Sequence, residues 1–96
     1  NPMTDGQTVR LPLPDLTEER RKELAKLAGE YGEKGKIAIR NVRRDANEAL
    51  KDDEKKKDIS EDERKRGEGE VQKMTDRFVA DTDAAVAAKV KEILTQ

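Results

Sequence analysis

Apolar residues recur every three or four positions, or at multiples of that spacing, through the first half of this sequence. They are Leu24, Leu27, Ala28, Tyr31, Ala38, Val42, Ala46 and Ala49. This period matches the 3.6 residues per turn of an α-helix and not the alternation of a strand. Thr17 suits the N-cap position, and Glu18 and Glu19 would place negative charge where the helix dipole favours it. The pattern predicts one long helix from Thr17 to about residue 57.

Three glycines interrupt this helical pattern at Gly29, Gly32 and Gly35. Each costs a helix up to about 1 kcal/mol relative to alanine. The section is therefore either the softest part of the helix or a place where another backbone comes close. We favour the soft alternative.

A second helix is predicted from Glu61 to Leu94. Ser60 and Glu63 have the spacing of a capping box, in which each side chain satisfies the other residue's backbone donor. One face of this helix carries Val71, Met74, Phe78, Thr82 and Ala85, and the stripe then widens through Val86, Val90, Ile93 and Leu94. The charged residues 51–58 are typical of a solvated helix end and a turn. A short turn between two long helices makes an antiparallel hairpin.

The composition leaves little material for a core, because 45% of the residues are charged and 32% are hydrophobic. Tyr31 and Phe78 are the only aromatic residues. We expect Tyr31, Phe78 and Met74 to be core residues and not to line a ligand pocket. Two helices of this composition can hardly bury enough apolar surface alone. The hairpin should need a third helix, or self-association with a second copy, to close its core.

Several classes of function lack the residues that they need. The sequence has no cysteine and no histidine, which removes thiol catalysis, zinc sites and the usual general base. Nothing marks a pocket that would raise the pKa of a carboxyl group, and no Gly-rich phosphate loop occurs. We expect neither an enzyme nor a cofactor. No apolar run approaches the roughly 18 residues of a membrane span, and no signal peptide is recognisable, so the expected location is the cytoplasm.

A row of basic residues lies on the side of the first helix away from the apolar stripe. It contains Arg40, Arg43 and Arg44, with Lys36, Lys51 and Asn47 beside them, and Lys34 lies nearby. Guanidinium groups on a stiff helix can grip phosphates with two bonds each. The net charge is −1, so any attraction to RNA must come from local segregation of charge. Without an aromatic platform the expected target is structured RNA, recognised through phosphates and shape. Ordinary solvated helix surface is the alternative.

The first fifteen residues differ from the rest, because they hold all three prolines and the turn-type pair Asp5-Gly6. Residues 8–11 alternate as a strand does, and Pro12 and Pro14 would end its pairing. A lone strand has no partner here, so we expect the tail end of a domain whose remainder is missing. The residues that follow would then form a stiff linker.

Four separated motifs resemble the C-terminal half of the bacterial ribosome recycling factor family. They are residues 16–22, 40–46, 59–62 and 71–76. That family is L-shaped, with a three-helix bundle and a β-rich head inserted between the first and second helices. The resemblance implies an all-α hairpin, with residues 17–96 as the second and third bundle helices. Residues 1–16 would be the end of the head and a hinge at Leu13, Pro14, Asp15 and Leu16. The first helix and most of the head would be absent.

The resemblance also implies an activity. The family binds the large ribosomal subunit after termination and, with elongation factor G and GTP, splits the ribosome for reuse. Arg40 and Arg43 match family residues that contact large-subunit ribosomal RNA, and Arg44, Lys36 and Asn47 would belong to the same site. The alternative is a structural hairpin of the coiled-coil kind, which meets another protein through its apolar stripe.

Overall fold

The computed structural model of the chain describes residues 16–95. It contains two helices, α1 (Glu18–Lys55) and α2 (Glu61–Leu94), and the described residues form no strand. The all-α hairpin predicted from the sequence is therefore confirmed. The predicted strand over residues 8–11, the end of the head domain and the hinge residues Leu13, Pro14 and Asp15 lie outside the described residues.

Helix α1 begins where the sequence places it. The Thr17 Oγ1 atom accepts a hydrogen bond from the Arg20 backbone N–H at 3.0 Å, so Thr17 is the N-cap. The helix runs unbroken through all three glycines for 38 residues. It ends at Lys55, two residues before the expected end. Lys57 has a positive φ of 64°, and its N–H donates to the Glu54 carbonyl at 2.9 Å, which turns the chain away from the helix axis.

The start of α2 is fixed by the predicted capping box. The Ser60 N–H donates to Glu63 Oε1 at 2.8 Å, and the Glu63 N–H donates to Ser60 Oγ at 3.1 Å. The hydrogen bond from the Ser60 backbone is the main cause that lowers the pKa of the Glu63 carboxyl. Two of the free N–H donors at the start of the helix are thereby satisfied by residues only three positions apart.

The two helices are antiparallel neighbours, and the longest dimension is 61 Å. At the open end the Arg21 guanidinium donates to the Ile93 carbonyl at 3.2 Å. At the turn Arg64 on α2 pairs with Glu54 on α1. Midway, Gly32 is buried, and a Cβ atom built on it would lie 2.5 Å from Val86 Cγ2. Helix α2 therefore comes close at Gly32 alone, through the Val86 side chain, whereas a Cβ atom built on Gly29 or Gly35 would meet nothing within 4 Å.

Burial within this hairpin is shallow. Among the described residues only Gly32 and Thr75 are buried. None of the hydrophobic side chains in that part of the chain is buried. The prediction that two such helices cannot close a core is confirmed. The prediction that Tyr31, Met74 and Phe78 are core residues is wrong for the hairpin alone, because their exposed fractions are 64%, 52% and 55%.

Three of the exposed apolar residues, Val42, Met74 and Phe78, border an open groove along one side of the hairpin. The groove encloses about 390 Å³ and is lined mainly by Ile39, Val42, Ala46, Val71, Met74 and Phe78. Val42 is 67% exposed, so this part of the α1 stripe faces the groove and not α2. The line of contact between the helices runs beside the stripe, through smaller and partly polar positions such as Gly32 and Thr75.

Candidate nucleic-acid interface

The three arginines predicted to bind RNA lie near the middle of α1. We call Arg40, Arg43 and Arg44 the arginine face. At about 100° per residue they fall within an arc of about 100° on the helix surface. Arg40 and Arg44 are exposed, and Arg43 is half-buried. Since α1 is continuous on both sides of these arginines, the helix backbone holds their Cα atoms at fixed spacing.

Two members of the arginine face share a second, polar groove on the side of the hairpin away from the apolar groove. Arg40 and Arg43 line it from α1. From α2 it is lined by Gln72, Thr75, Asp76, Val79, Ala80 and Asp83. Arg44 does not line this groove. Arg43 also lines the apolar groove, so it lies between the two grooves. There its alkyl stem can cover apolar atoms while the guanidinium reaches outward.

The guanidinium groups of the arginine face are not engaged by the rest of the hairpin. Within residues 16–95, Arg40, Arg43 and Arg44 form no ion pair and no side-chain hydrogen bond. Other arginines differ: Arg20 pairs with Glu23 at 3.0 Å, and Arg64 pairs with Glu54 and Glu68. A planar guanidinium with its donors free can bind a phosphate through two parallel hydrogen bonds.

Lys36 was grouped with the arginines in the sequence, but its ammonium group is engaged within the hairpin. Its Nζ atom lies 2.7 Å from Asp83 Oδ1 and 2.9 Å from Glu33 Oε2, and only 13% of the side chain is exposed. The hydrogen bond to Asp83 is the main cause that raises the pKa of Lys36, and the bond to Glu33 adds to it. Lys34 lies elsewhere, with its Nζ atom 5.9 Å from the centroid of the Tyr31 ring.

Asn47, the fifth predicted site residue, lies half-buried one helical turn beyond Arg43. Its Oδ1 atom is inaccessible to solvent and has no hydrogen-bond partner among the described residues. An amide oxygen in this position is not offered to a ligand on the exposed side of α1. The structure thus brings Arg40 and Arg43 together, leaves Arg44 at their edge, and turns Lys36 and part of Asn47 inward.

Comparison with known proteins gives the family. The sequence model of the family described as ribosome recycling factor matches residues 1–94 of the 96-residue chain. The chain belongs to the ribosome recycling factor family. The resemblance carried by the four motifs is therefore confirmed over nearly the whole sequence.

Individual proteins named ribosome-recycling factor are similar to this chain at high sequence identity. The protein of this name from Erythrobacter litoralis is 77% identical over 96 residues, which cover all of this chain and 52% of that protein. The one from Zymomonas mobilis is 67% identical over 94 residues, 98% of this chain and 51% of its own length. A more distant one, from Nitratidesulfovibrio vulgaris, is 56% identical over 94 residues. The chain spans about half the length of these relatives.

Two other features are absent from the described part of the chain. Neither of its helices is long and apolar enough to cross a membrane. Between residues 16 and 95 no group of three or more acidic, histidine or cysteine side chains is arranged to hold a metal ion. The polar groove with the arginine face remains the candidate site.

Sequence reasoning missed the residues that α2 contributes to this site, Asp83 among them. Asp83 lines the polar groove and pairs with Lys36, yet the two residues are 47 positions apart in the chain. Their pairing depends on how the two helices align, and no local signal reports that alignment. The one hint is that a turn near residue 58 makes residues at equal distances from it neighbours across the hairpin.

Proposed function

We propose that the arginine face binds the sugar-phosphate backbone of large-subunit ribosomal RNA. The observation that carries this proposal is that three guanidinium groups within five residues of α1, those of Arg40, Arg43 and Arg44, have no partner in the described hairpin, whereas Arg20 and Arg21 are engaged. Free guanidinium donors on a rigid helix suit phosphates at fixed spacing in structured RNA. The polar groove beside them has no aromatic side chain in its lining, so stacking of unpaired bases is not expected there.

Family membership supports placing this binding in ribosome recycling. In this proposal the complete protein acts on the post-termination ribosome together with elongation factor G and GTP, in the cytoplasm. The chain itself is a binding and positioning element and not an enzyme, and GTP hydrolysis belongs to elongation factor G. The relatives support this assignment through their name, ribosome-recycling factor. We place residues 1–16 at the end of the head and the hinge, and 17–96 in the bundle.

The apolar groove has a role in the same proposal. We infer that the first helix of the three-helix bundle packs along Val42, Met74 and Phe78. The support is the open apolar lining of that groove, opposite the polar side that carries Arg40. A helix in this position would close the core and leave Arg40 and Arg44 exposed to RNA, with Arg43 at its edge.

The direct test is co-sedimentation of the chain with purified large ribosomal subunits over a series of salt concentrations. The variant Arg40→Glu/Arg43→Glu replaces two phosphate-binding cations by charges that repel phosphate. We expect weaker binding at every salt concentration. The slope of log affinity against log salt should also become shallower, by about 0.7 to 0.9 for each phosphate that the variant no longer neutralises.

A matched control is Arg66→Glu/Arg77→Glu, which makes the same change of net charge on α2. Both arginines are exposed and lie outside the polar groove. Circular dichroism should show equal helicity for both double variants. Equal weakening by the two double variants, or an unchanged salt slope in Arg40→Glu/Arg43→Glu, would contradict phosphate binding by the arginine face.

The second candidate is a structural hairpin that binds another protein, and the open apolar groove favours it. The two candidates differ in the side of the hairpin that binds. If the alternative is correct, Val42→Glu or Phe78→Glu should abolish binding to the partner while changes at Arg40 and Arg43 have no effect. If the chain binds ribosomal RNA, the arginine changes should abolish binding while the helices stay folded.

A further inference from the structure

A carboxylate lies in the groove that the proposed RNA-binding residues share. Asp83 lines this groove together with Arg40 and Arg43. An unengaged carboxylate at that place would have two effects on RNA binding. It would repel an incoming phosphate, and it would offer a partner to a guanidinium that must stay free. RNA binding by the arginine face should therefore be tighter when Asp83 is held by another group.

Lys36 holds it through a bridge between the two helices. Its Nζ atom is 2.7 Å from Asp83 Oδ1 on α2 and 2.9 Å from Glu33 Oε2 on α1. The Lys36 side chain is 13% exposed, whereas the Asp83 side chain is 58% exposed. The lysine is thus packed between the helices, and the carboxylate that it holds is at the surface. The raised pKa of Lys36 is consistent with an ammonium group that stays charged in this position.

We propose that Lys36 is a positioning residue for the arginine face. It holds the Asp83 carboxylate and offsets part of its charge, so that the guanidinium groups of Arg40 and Arg43 stay free for phosphate. Lys36 itself does not contact RNA in this proposal, which replaces the RNA-binding role predicted for it in the sequence analysis. The effect on RNA binding rests on the proposed function, whereas the effect on the arginine side chains does not.

Asp76 is held in a similar way on the same groove. Gln72 Nε2 donates to Asp76 Oδ1 at 2.9 Å, one helical turn away on α2. Both carboxylates that line the groove are therefore engaged by residues other than the arginines. The Gln72 contact lies within one helix at an exposed position, so Lys36 is the stronger case and the one to test.

The test compares four chains in the large-subunit binding assay: the parent, Lys36→Met, Asp83→Asn and the double variant Lys36→Met/Asp83→Asn. In Lys36→Met the freed Asp83 carboxylate should weaken binding to large subunits about fivefold. This factor corresponds to about 1 kcal/mol, the upper end for a pair of exposed charges. Asp83→Asn alone should bind at least as tightly as the parent. The double variant should recover the affinity and the salt slope of the parent. If Lys36 instead bound phosphate directly, the double variant would stay as weak as Lys36→Met, and that result would overturn the proposal.

Lys89 and Glu92 provide a control for net charge, because they form an exposed ion pair at 3.1 Å near the end of α2. Lys89→Met should leave affinity near that of the parent. Glu92→Gln should not rescue Lys36→Met, although it removes the same negative charge as Asp83→Asn. Rescue by Glu92→Gln would mean that only overall charge matters, and it too would overturn the positioning role.

A second readout needs no RNA. In NMR spectra of the free chains, the Nε–H signal of Arg40 or Arg43 should shift and exchange more slowly with water in Lys36→Met, because Asp83 becomes available as a partner. The signal should return to its parent position in the double variant. If the parent does not bind large subunits but these shifts occur, the proposed function fails and the positioning of Asp83 stands. If the arginine signals stay unchanged and Asp83→Asn rescues no binding, the positioning role fails.

Discussion

Gly32 is buried between α1 and α2, at a point where a side chain would collide with Val86. The β-branched Val86 has one strongly preferred rotamer in a helix, so it cannot easily turn its Cγ2 atom away. We expect Gly32→Ala to lower the free energy of unfolding by about 1 to 2 kcal/mol. The overpacking outweighs the gain in helix propensity. Urea unfolding followed by circular dichroism measures the change.

Gly35 supplies the control for this substitution, because a Cβ atom built there meets nothing within 4 Å. Gly35→Ala should raise the free energy of unfolding by about 0.5 to 1 kcal/mol through helix propensity alone. Adding Val86→Ala to Gly32→Ala should restore part of the stability. A stabilising Gly32→Ala would show that the helices do not approach each other closely at this residue.

Individual residues of the candidate site were predictable to different degrees. Arg40 and Arg43 could be assigned to one face of α1, because the helical period is a local property of the sequence. The orientations of the Lys36 and Asn47 side chains could not be predicted, because both residues lie at the border of the helix contact. There the partner on α2 decides whether a side chain points to solvent. For Lys36 that partner is Asp83, 47 residues away.

The stability of the first turn of α2 depends on pH through the Glu63 carboxyl. Because its pKa is lowered in the folded chain, the charged carboxylate stabilises the helix start at pH values above its ordinary pKa of about 4.3. That contribution disappears as the pH falls through the lower, folded pKa. We expect Glu63→Gln to be less stable than the parent at pH 7, with the difference shrinking as the pH falls below the ordinary range of a glutamate carboxyl. Thermal unfolding at a series of pH values measures it.

Glu70→Gln is the reference for this pH effect, since Glu70 is an exposed glutamate of the same helix outside the first turn. At pH 7 the stability of Glu70→Gln should lie closer to that of the parent than the stability of Glu63→Gln does, because Glu70 is not part of the capping box. An NMR titration of the Glu63 carboxyl should give a pKa below the ordinary range for glutamate. A pKa at or above that range would mean that the capping box does not hold in solution.

Helix boundaries followed from the sequence where a local signal exists. Thr17 and Ser60 mark the two starts, because a hydroxyl that caps the third residue after it needs no information from the rest of the fold. The end of α1 was placed two residues late. The run Lys55-Lys56-Lys57 contains neither glycine nor proline, and the positive φ that ends the helix falls on a lysine.

At the scale of the whole molecule, the described hairpin has an apolar side with nothing packed on it. Phe78 is 55% exposed and Met74 52%. We expect the isolated chain to cover this groove by self-association, so that its thermal midpoint rises with protein concentration. Phe78→Glu should abolish the concentration dependence, because it places a charge in the groove. Sedimentation equilibrium and circular dichroism melts at several concentrations measure both quantities.

Ile37→Glu is the matched control for the groove. Ile37 is also exposed, at 56%, but it does not line the groove. Ile37→Glu should leave the concentration dependence of the thermal midpoint unchanged. A midpoint that is independent of concentration in the parent, or equal effects of the two substitutions, would contradict association through this groove.

The overall architecture was predictable in kind but not in its contacts. The two helical stripes and the short turn fix an antiparallel hairpin, and the low apolar content predicts an unfinished core. The sequence did not reveal that Val42 would face an open groove and Gly32 would face α2. A stripe defines a direction on one helix, whereas the rotation of that helix against its neighbour depends on the packing of both.

Tyr31 borders the apolar side of α1 and is 64% exposed, and it is the only tyrosine in a sequence without tryptophan. Its near-ultraviolet absorbance and fluorescence therefore report on a single known place in the molecule. Whatever covers the hairpin on that side will change the polarity around this ring. The unlabelled chain thus carries its own optical probe of core completion, free of interference from any other tyrosine or tryptophan.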